Sequence, residues 1–332
     1  MSINKHVPVL DSLRAIAAFS VCLFHFICTV TGFVDSEFIK MLFSTGHYGV
    51  QMFFVISGFV IPWSLFHSDY GIKNYFTFAL KRFIRLEPTY IASLMLAIAH
   101  TYLRTKSPHY NGVDITPTTT QIALHFGYLI PFVEGQHWIR PVYWTLAVEF
   151  QYYLAIGLLF PLIAHKKIAC RIISYLIIFS GPFIIKGYLP LYLPVFLFGI
   201  ALFLFKSKII KWKELFTLTL AATVEIYLFH DLGTFIYIGL TYIAILFFTE
   251  FKNKILTFLG NISYSIYLFH SLTGMVILYY FSHIVSSPFY KFLLVILALA
   301  VTVLSSYIVY RLIELPTKRW SSKIKFRKEE RK

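Results

Sequence analysis

The chain reads as an all-α protein, a polytopic bundle of about ten transmembrane helices with both termini cytoplasmic. Three observations predict this. Fifty-eight per cent of the 332 residues are hydrophobic, mean hydropathy is +0.70 and only 14% are charged, well outside the range of soluble globular chains. The apolar residues are gathered into runs of roughly 16 to 24, the length that crosses a bilayer at about 1.5 Å per helical residue. The basic residues that give a formal charge of +15 fall in short clusters between those runs and in the tail. That is the distribution membrane topology requires, and it argues against a nucleic-acid partner.

In order, the runs lie at 9–31, 46–66, 83–103, 142–164, 172–189, 190–205, 214–230, 232–249, 258–281 and 291–313. The pairs meeting at Pro190 and at Asp231 to Gly233 predict tight turns between shorter, tilted helices. With the N-terminus inside, the inner loops hold Lys73, Lys81, Arg82 and Arg85, then Lys166, Lys167 and Arg171, then Lys206, Lys208, Lys211 and Lys213, then Lys252 and Lys254. Lys5, Arg311 and the tail from Lys318 onward join the same side. The first run follows a single Lys5, is longer than a signal-peptide core and lacks a small-x-small cleavage site, so it reads as a retained span. The longest loop, Arg104 to Pro141, faces outward. Its apolar piece, Ile122 to Phe132, is too short to span and predicts an interfacial or re-entrant segment over the outer mouth. Residues 1–320 read as a single membrane domain and 321–332 as a basic cytoplasmic tail. Cys22, Cys28 and Cys170 are too few and scattered for a disulfide framework or a metal site.

The chemistry-bearing residues are those that sit where apolar residues are expected. In the first span, LDSLRAIAAFSVCLFHF, Arg14 and His25 are eleven residues apart. They therefore share one helix face at depths differing by about 16 Å. Arg14, near the cytoplasmic side, suits an anion such as phosphate; His25, in the outer half, could accept a proton as neutral imidazole. Glu149, in VYWTLAVEFQYYL, is the clearest intramembrane carboxylate; its distance from the outer end of its span lets it meet His25 at one depth, either to fix the tautomer and stabilise the imidazolium or as a purely structural interhelical pair. Arg82 and Arg85, one turn apart in KRFIRLEP, suit a phosphate site at the inner end of the third span, and read equally well as a positive-inside anchor. Glu225, His230, Asp231 and His270 are explained at least as well by helix packing. The recurrence of IYLFH at 226–230 and 266–270 reads as chance in a chain so rich in these residues. Glu314 closes the last span and predicts a pairing with inner-face basic residues. Ser57-Gly58 lacks a nucleophile-elbow context.

Taken together, LDSLRAIAAFSVCLFH, GVQMFFVISGFVI, the RxxR of Arg82 and Arg85 followed by Pro88, YWTLAVEFQYYL, LGNISYSIYLFH and IELPTKR resemble the acyltransferase-3 family of bacterial membrane O-acyltransferases, in the family's order from residue 10 to about 319. The resemblance implies transfer of an acyl group, often acetyl, from cytoplasmic acyl-CoA to a hydroxyl of a carbohydrate or related cell-surface acceptor, in the inner (plasma) membrane. Arg14 and His25 match its Arg-x10-His motif; Arg82 and Arg85 match its RxxR. Ser12 replaces the commoner Gly, and Phe150 stands where many members carry a second Glu, which puts a two-carboxylate mechanism in doubt. The hydrolase-like extracytoplasmic domain of some members is not expected. The expected site is therefore His25, Glu149 and Arg14 as catalytic residues, with Arg14, Arg82 and Arg85 holding acyl-CoA, and no metal. The rival reading is a transporter or flippase of an anionic lipid-linked sugar, in which the same charged residues line the route. A homodimer is compatible with either.

Overall fold

A computed structural model describes residues 6–68, 70–106, 116–185 and 187–327, and every regular element among them is helical. Apolar runs of this length satisfy their backbone donors and acceptors internally only as helices, which is why no strand competes for them. In chain order the helices are α1 (Val9–Phe24), α2 (Glu37–Ser44), α3 (Gly49–Phe66), α4 (Tyr75–Thr105), α5 (Thr119–His125), α6 (Trp144–Ile163), α7 (Ile168–Ile184), α8 (Tyr188–Lys206), α9 (Trp212–Phe229), α10 (Leu232–Phe247), α11 (Lys254–Asn261), α12 (Ser263–Phe269), α13 (Gly274–Phe281), α14 (Pro288–Val309) and α15 (Leu315–Lys323). Among the described residues the ten predicted runs fall largely on helix, but α8 already begins at Tyr188, so the break expected at Pro190 comes earlier and Pro190 lies in the first turn of α8. Five helical stretches are long and apolar enough to cross a membrane, and a sixth qualifies if the pair Lys254–Asn261 and Ser263–Phe281, bent by 56°, counts as one span. The others fall short for visible reasons. α4 is long but carries Lys81, Arg82, Arg85 and Glu87, α9 carries Lys213, Glu214 and Glu225, and α7 and α10 are short.

The centre of the bundle is the pair α3 and α8, both apolar all round and both largely buried. Their backbones touch. A Cβ on Gly58 would collide with the Phe196 carbonyl, and one on Gly199 would collide with the Val55 carbonyl. α1 packs on α3 and, through Gly260 beneath the Asp11 carbonyl, on α11. The outer helices leave Leu176, Leu240 and Leu304 more than half exposed, as lipid-facing residues of a membrane protein should be.

α4 and α6 run antiparallel in a register fixed at two points. Ser93 Oγ lies 3.2 Å from Tyr143 Oη at one end, and Gly157 packs on Phe78 while its carbonyl accepts from Tyr70 Oη at 2.9 Å near the other. α6 is therefore displaced along α4 toward the end that carries the arginines. The space above its start is filled by the predicted re-entrant piece. α5 is followed by a descent in which Tyr128, 3% exposed and held at φ 55°, stacks on Tyr90 and donates to Glu87 Oε2 at 2.9 Å. At the opposite end, α15 straps along the start of α4. Ser321 Oγ donates to the Lys81 carbonyl at 2.9 Å, and the Asn74 side chain pairs with both backbone groups of Arg327. Of the basic tail expected at 321–332, residues 321–327 are thus docked on the bundle; 328–332 lie outside the described residues.

Two expectations follow. Gly199→Val should lower the thermal denaturation midpoint of the detergent-purified protein, at a cost of about 1–3 kcal/mol for overpacking, whereas Gly239→Ala, which points into open space, should leave it unchanged or raised. His125 is fully buried; Nδ1–H donates to the Gln121 carbonyl at 2.8 Å and Nε2 accepts from the Ile139 N–H at 3.2 Å. Burial pushes its pKa below the ordinary histidine value. The unfolded loop therefore binds the proton more readily than the folded one. The contribution of His125 is complete above about pH 6.5 and is lost as pH falls through the folded pKa. Hydrogen exchange over residues 119–140 should quicken between pH 7.5 and pH 5 relative to α3, beyond the intrinsic pH effect.

Candidate active site

The arginines converge. Arg14 on α1 and Arg82 and Arg85 on α4 line one cleft with Glu149 and Tyr153 of α6, Tyr264 and Tyr267 of α12, Glu314 and Lys318. The cleft continues toward the end of the bundle where α4 begins, past Asp11, Lys81 and Ser322. Among the described residues the guanidinium groups of Arg14, Arg82 and Arg85 make no hydrogen bond or ion pair, although the three lie within electrostatic reach of one another. Arg82 is steadied instead by the rings of Phe78 at 5.3 Å and Tyr153 at 5.5 Å. The acids of the cleft are engaged elsewhere. Glu149 accepts from Ser57 Oγ at 2.9 Å and from the Tyr153 hydroxyl. Glu314, in a widened π-type turn (Tyr310–Glu314), accepts from Ser265 Oγ at 2.6 Å and pairs with Lys318 Nζ at 2.6 Å, the pairing expected of it. An assembly of unpaired fork-shaped donors in an apolar surround is built to take oxyanions.

His25 lies at the other end of α1, at the start of a second π-type turn (His25–Thr29). Such turns re-aim side chains and recur at functional positions. Its Nδ1–H donates to the Val21 carbonyl at 2.9 Å, which leaves Nε2 as the lone-pair nitrogen. The neighbour that defines this end is His270, with ring centroids 5.0 Å apart. His270 is fully buried, its Nδ1–H donates to the Tyr267 carbonyl at 2.7 Å, and its Nε2 has no partner. Tyr267 joins the two ends: it lines the arginine cleft, its hydroxyl is 2.8 Å from Thr145 Oγ1, and its ring centroid is 6.0 Å from that of His270.

The structure thus brings Arg14, Arg82, Arg85 and Glu149 together and sets His25 apart from them. The predicted His25–Glu149 pair is not formed. A shared depth requires residue 142 to mark the outer end of its span, but the segment carrying Tyr128 packs over the start of α6, and Glu149 falls in the cleft with Arg14, Arg82 and Arg85. His270 is the residue that sequence reasoning set aside as packing. The signal was present in the second IYLFH and in LGNISYSIYLFH, but nothing in the spacing showed that α12 faces His25. Ser57 proves to be a donor to Glu149. Asp231 caps α10 through the Thr234 N–H at 2.7 Å, and His230 Nε2 donates to the Leu191 carbonyl at 3.0 Å, both structural roles. Among the described residues no cluster of side chains is arranged to hold a metal ion.

Comparison with known proteins gives the family. The acyltransferase-3 family model, described as an acyltransferase domain, matches residues 7–311, and the chain belongs to that family. Proteins of Staphylococcus aureus strains COL, MSSA476 and MRSA252, which carry the provisional name of O-acetyltransferase, are each 27% identical over 95% of this chain. The chain spans 58% of the length of these relatives. No solved structure matches it significantly.

Proposed function

We propose that the protein is an O-acyltransferase of the inner (plasma) membrane, with about ten spans and cytoplasmic termini, that moves an acyl group, acetyl in the simplest case, from acyl-CoA to a hydroxyl of a cell-surface glycan. The observation that carries this reading is the cleft of three unpaired guanidinium groups lying one arm's length from a histidine with a free Nε2. The phosphates of acyl-CoA sit on Arg82, Arg85 and Arg14, with Lys318 beside them, and the arm runs along α1. The separation of Arg14 and His25 is about 16 Å along the helix, comparable to the reach of a pantetheine arm. The acceptor hydroxyl gives its proton to His25 Nε2 as its oxygen bonds to the thioester carbonyl carbon; the carbon–sulfur bond breaks and the leaving thiolate takes the proton from His25. His270, ring to ring with His25, holds that imidazole in place. Glu149 acts at the donor end, where it offsets part of the positive charge.

His25→Ala should abolish acyl transfer, a loss of about 10²–10⁴-fold for a general base, while acetyl-CoA still binds to purified protein. Arg82→Ala or Arg85→Ala should weaken acetyl-CoA binding by about tenfold or more, as expected of a lost charge-assisted contact. Retained binding in both variants would remove the arginine cleft from the mechanism. Because a base must be neutral to accept a proton, turnover should rise with pH through the ionisation of His25 and then level off. Glu149→Gln should leave the midpoint of that profile in place and change the KM for acetyl-CoA. A moved midpoint would return Glu149 to the histidine. His270→Gln should do the reverse, shifting the midpoint while the KM for acetyl-CoA stays within about twofold, because it lies at the far end of α1 from the phosphates.

A further inference from the structure

A second polar cavity lies at the end of the bundle opposite the arginine cleft, between the last turns of α4 and the segment that leads into α6. It is lined by His100, Thr101, Arg104, Gln121, Trp138 and Arg140. Two of its donors are buried and without a hydrogen-bond partner: Arg140 Nε and Trp138 Nε1. Unpaired buried donors are rare in folded proteins because each forfeits its hydration without return, and two in one cavity point to acceptor oxygens of something bound there. Arg140 is oriented by donating from Nη2 to His100 Nδ1 at 2.7 Å, and Gln121 by donating from Nε2 to the His137 carbonyl at 2.7 Å, which leaves its own carbonyl oxygen for a hydroxyl. Arg104, at the rim, donates to Tyr279 Oη at 3.1 Å. Burial lowers the Arg140 guanidinium from its ordinary pKa, and the positive charge of Arg104 works in the same direction. An anion in the cavity would relieve both.

The rest of the surround selects the kind of anion. Trp138 is a party wall: its other side lines a shallow cleft with Trp144, Tyr188 and Tyr192. A flat aromatic face for sugar C–H groups, an amide for a hydroxyl and a guanidinium fork for a planar oxyanion together describe a charged sugar with further residues running on across the aromatic cleft. The cavity is also wired to the histidines. Two residues after Arg140, the Val142 carbonyl accepts from Tyr267 Oη at 3.2 Å, and the Tyr267 ring packs on His270, which packs on His25.

We propose that this cavity is the acceptor subsite and that it takes an anionic sugar residue of a glycan, held through its carboxylate or phosphate by Arg140 and across its ring by Trp138. This rests on the reading of the protein as an acyltransferase with a hydroxyl acceptor.

The test is saturation-transfer NMR on the full chain in lipid nanodiscs, with D-glucuronate, D-glucose and inorganic phosphate as probes, and acetyl-CoA titrated separately. Glucuronate should bind at millimolar concentration where glucose does not. Arg140→Gln should weaken it by about tenfold, the loss of a charge-assisted contact. Trp138→Phe, which keeps the ring and removes the N–H, should weaken it several-fold, and acetyl-CoA binding should be unchanged in both variants. Displacement of glucuronate by phosphate would show that the same donors accept a sugar phosphate; failure of phosphate to displace it would restrict the subsite to uronates. Glucuronate bound equally by wild type and both variants, glucose bound as tightly as glucuronate, or no binding of glucuronate or phosphate by wild type would each overturn the proposal. Absence of acetyl-CoA binding in wild type would sink the acyltransferase reading instead, with the sugar measurements unaffected.

Discussion

Three like charges brought into one cleft of an apolar bundle set the terms for everything around them. Desolvating a guanidinium costs several kcal/mol, and crowding Arg14, Arg82 and Arg85 adds mutual repulsion. The fold limits that cost without cancelling the charge. Aromatic faces of Phe78 and Tyr153 lie under Arg82. Glu149, bonded to Ser57 and Tyr153 through Oε1 alone, and Glu314, bonded to Ser265 and Lys318 through its two oxygens, stand in the cleft and lower the local potential without pairing with the arginines. The cleft itself opens past Lys81 and Ser322, where water can reach it. A fully paired arginine cluster would be more stable and could bind no anion.

The same economy explains where the regular helix is broken. α1 widens into a π-type turn at His25 and the last span does so at Tyr310–Glu314, and each widened turn carries a residue of the site. The run at 258–281 is interrupted between α11, α12 and α13, and this lets Gly260 sit beneath the Asp11 carbonyl while Tyr267 and His270 turn toward α6 and α1. α15, which follows the second widened turn, lies against the first turns of α4 through Ser321 and Asn74 and thereby closes one wall of the cleft.

Much of the fold and half of the site were legible in the sequence, and the reasons divide cleanly. Helix positions follow from apolar length, because a bilayer core leaves the backbone no alternative. The shared face of Arg14 and His25 follows from the helical repeat within one element, and the pairing of Arg82 with Arg85 is equally local. What was not legible depends on register between elements. Placing Glu149 beside His25 required knowing where α6 begins relative to α1, and that is decided by the re-entrant piece ending in Tyr128. A seven-residue α5 and a tyrosine at positive φ carry no periodic signal. His270 was missed for the same reason: its sequence context announces a buried polar residue, while its contact with His25 is tertiary.

That register shift also separates the carboxylate of the cleft from the histidines. Had Glu149 stood beside His25, its charge would have been lost to the cleft, leaving Arg14, Arg82 and Arg85 with less to offset them. By lowering α6 along α4, the fold keeps the carboxylate with the cations and sets His25 against Phe24 and a second imidazole, His270. His25 and the guanidinium groups are thereby held apart, with Arg14 about 16 Å from His25 along the same helix. The re-entrant piece therefore does two things with one descent: it sets the depth of Glu149, and its continuation through Trp138 and Arg140 frames the cavity at the histidine end.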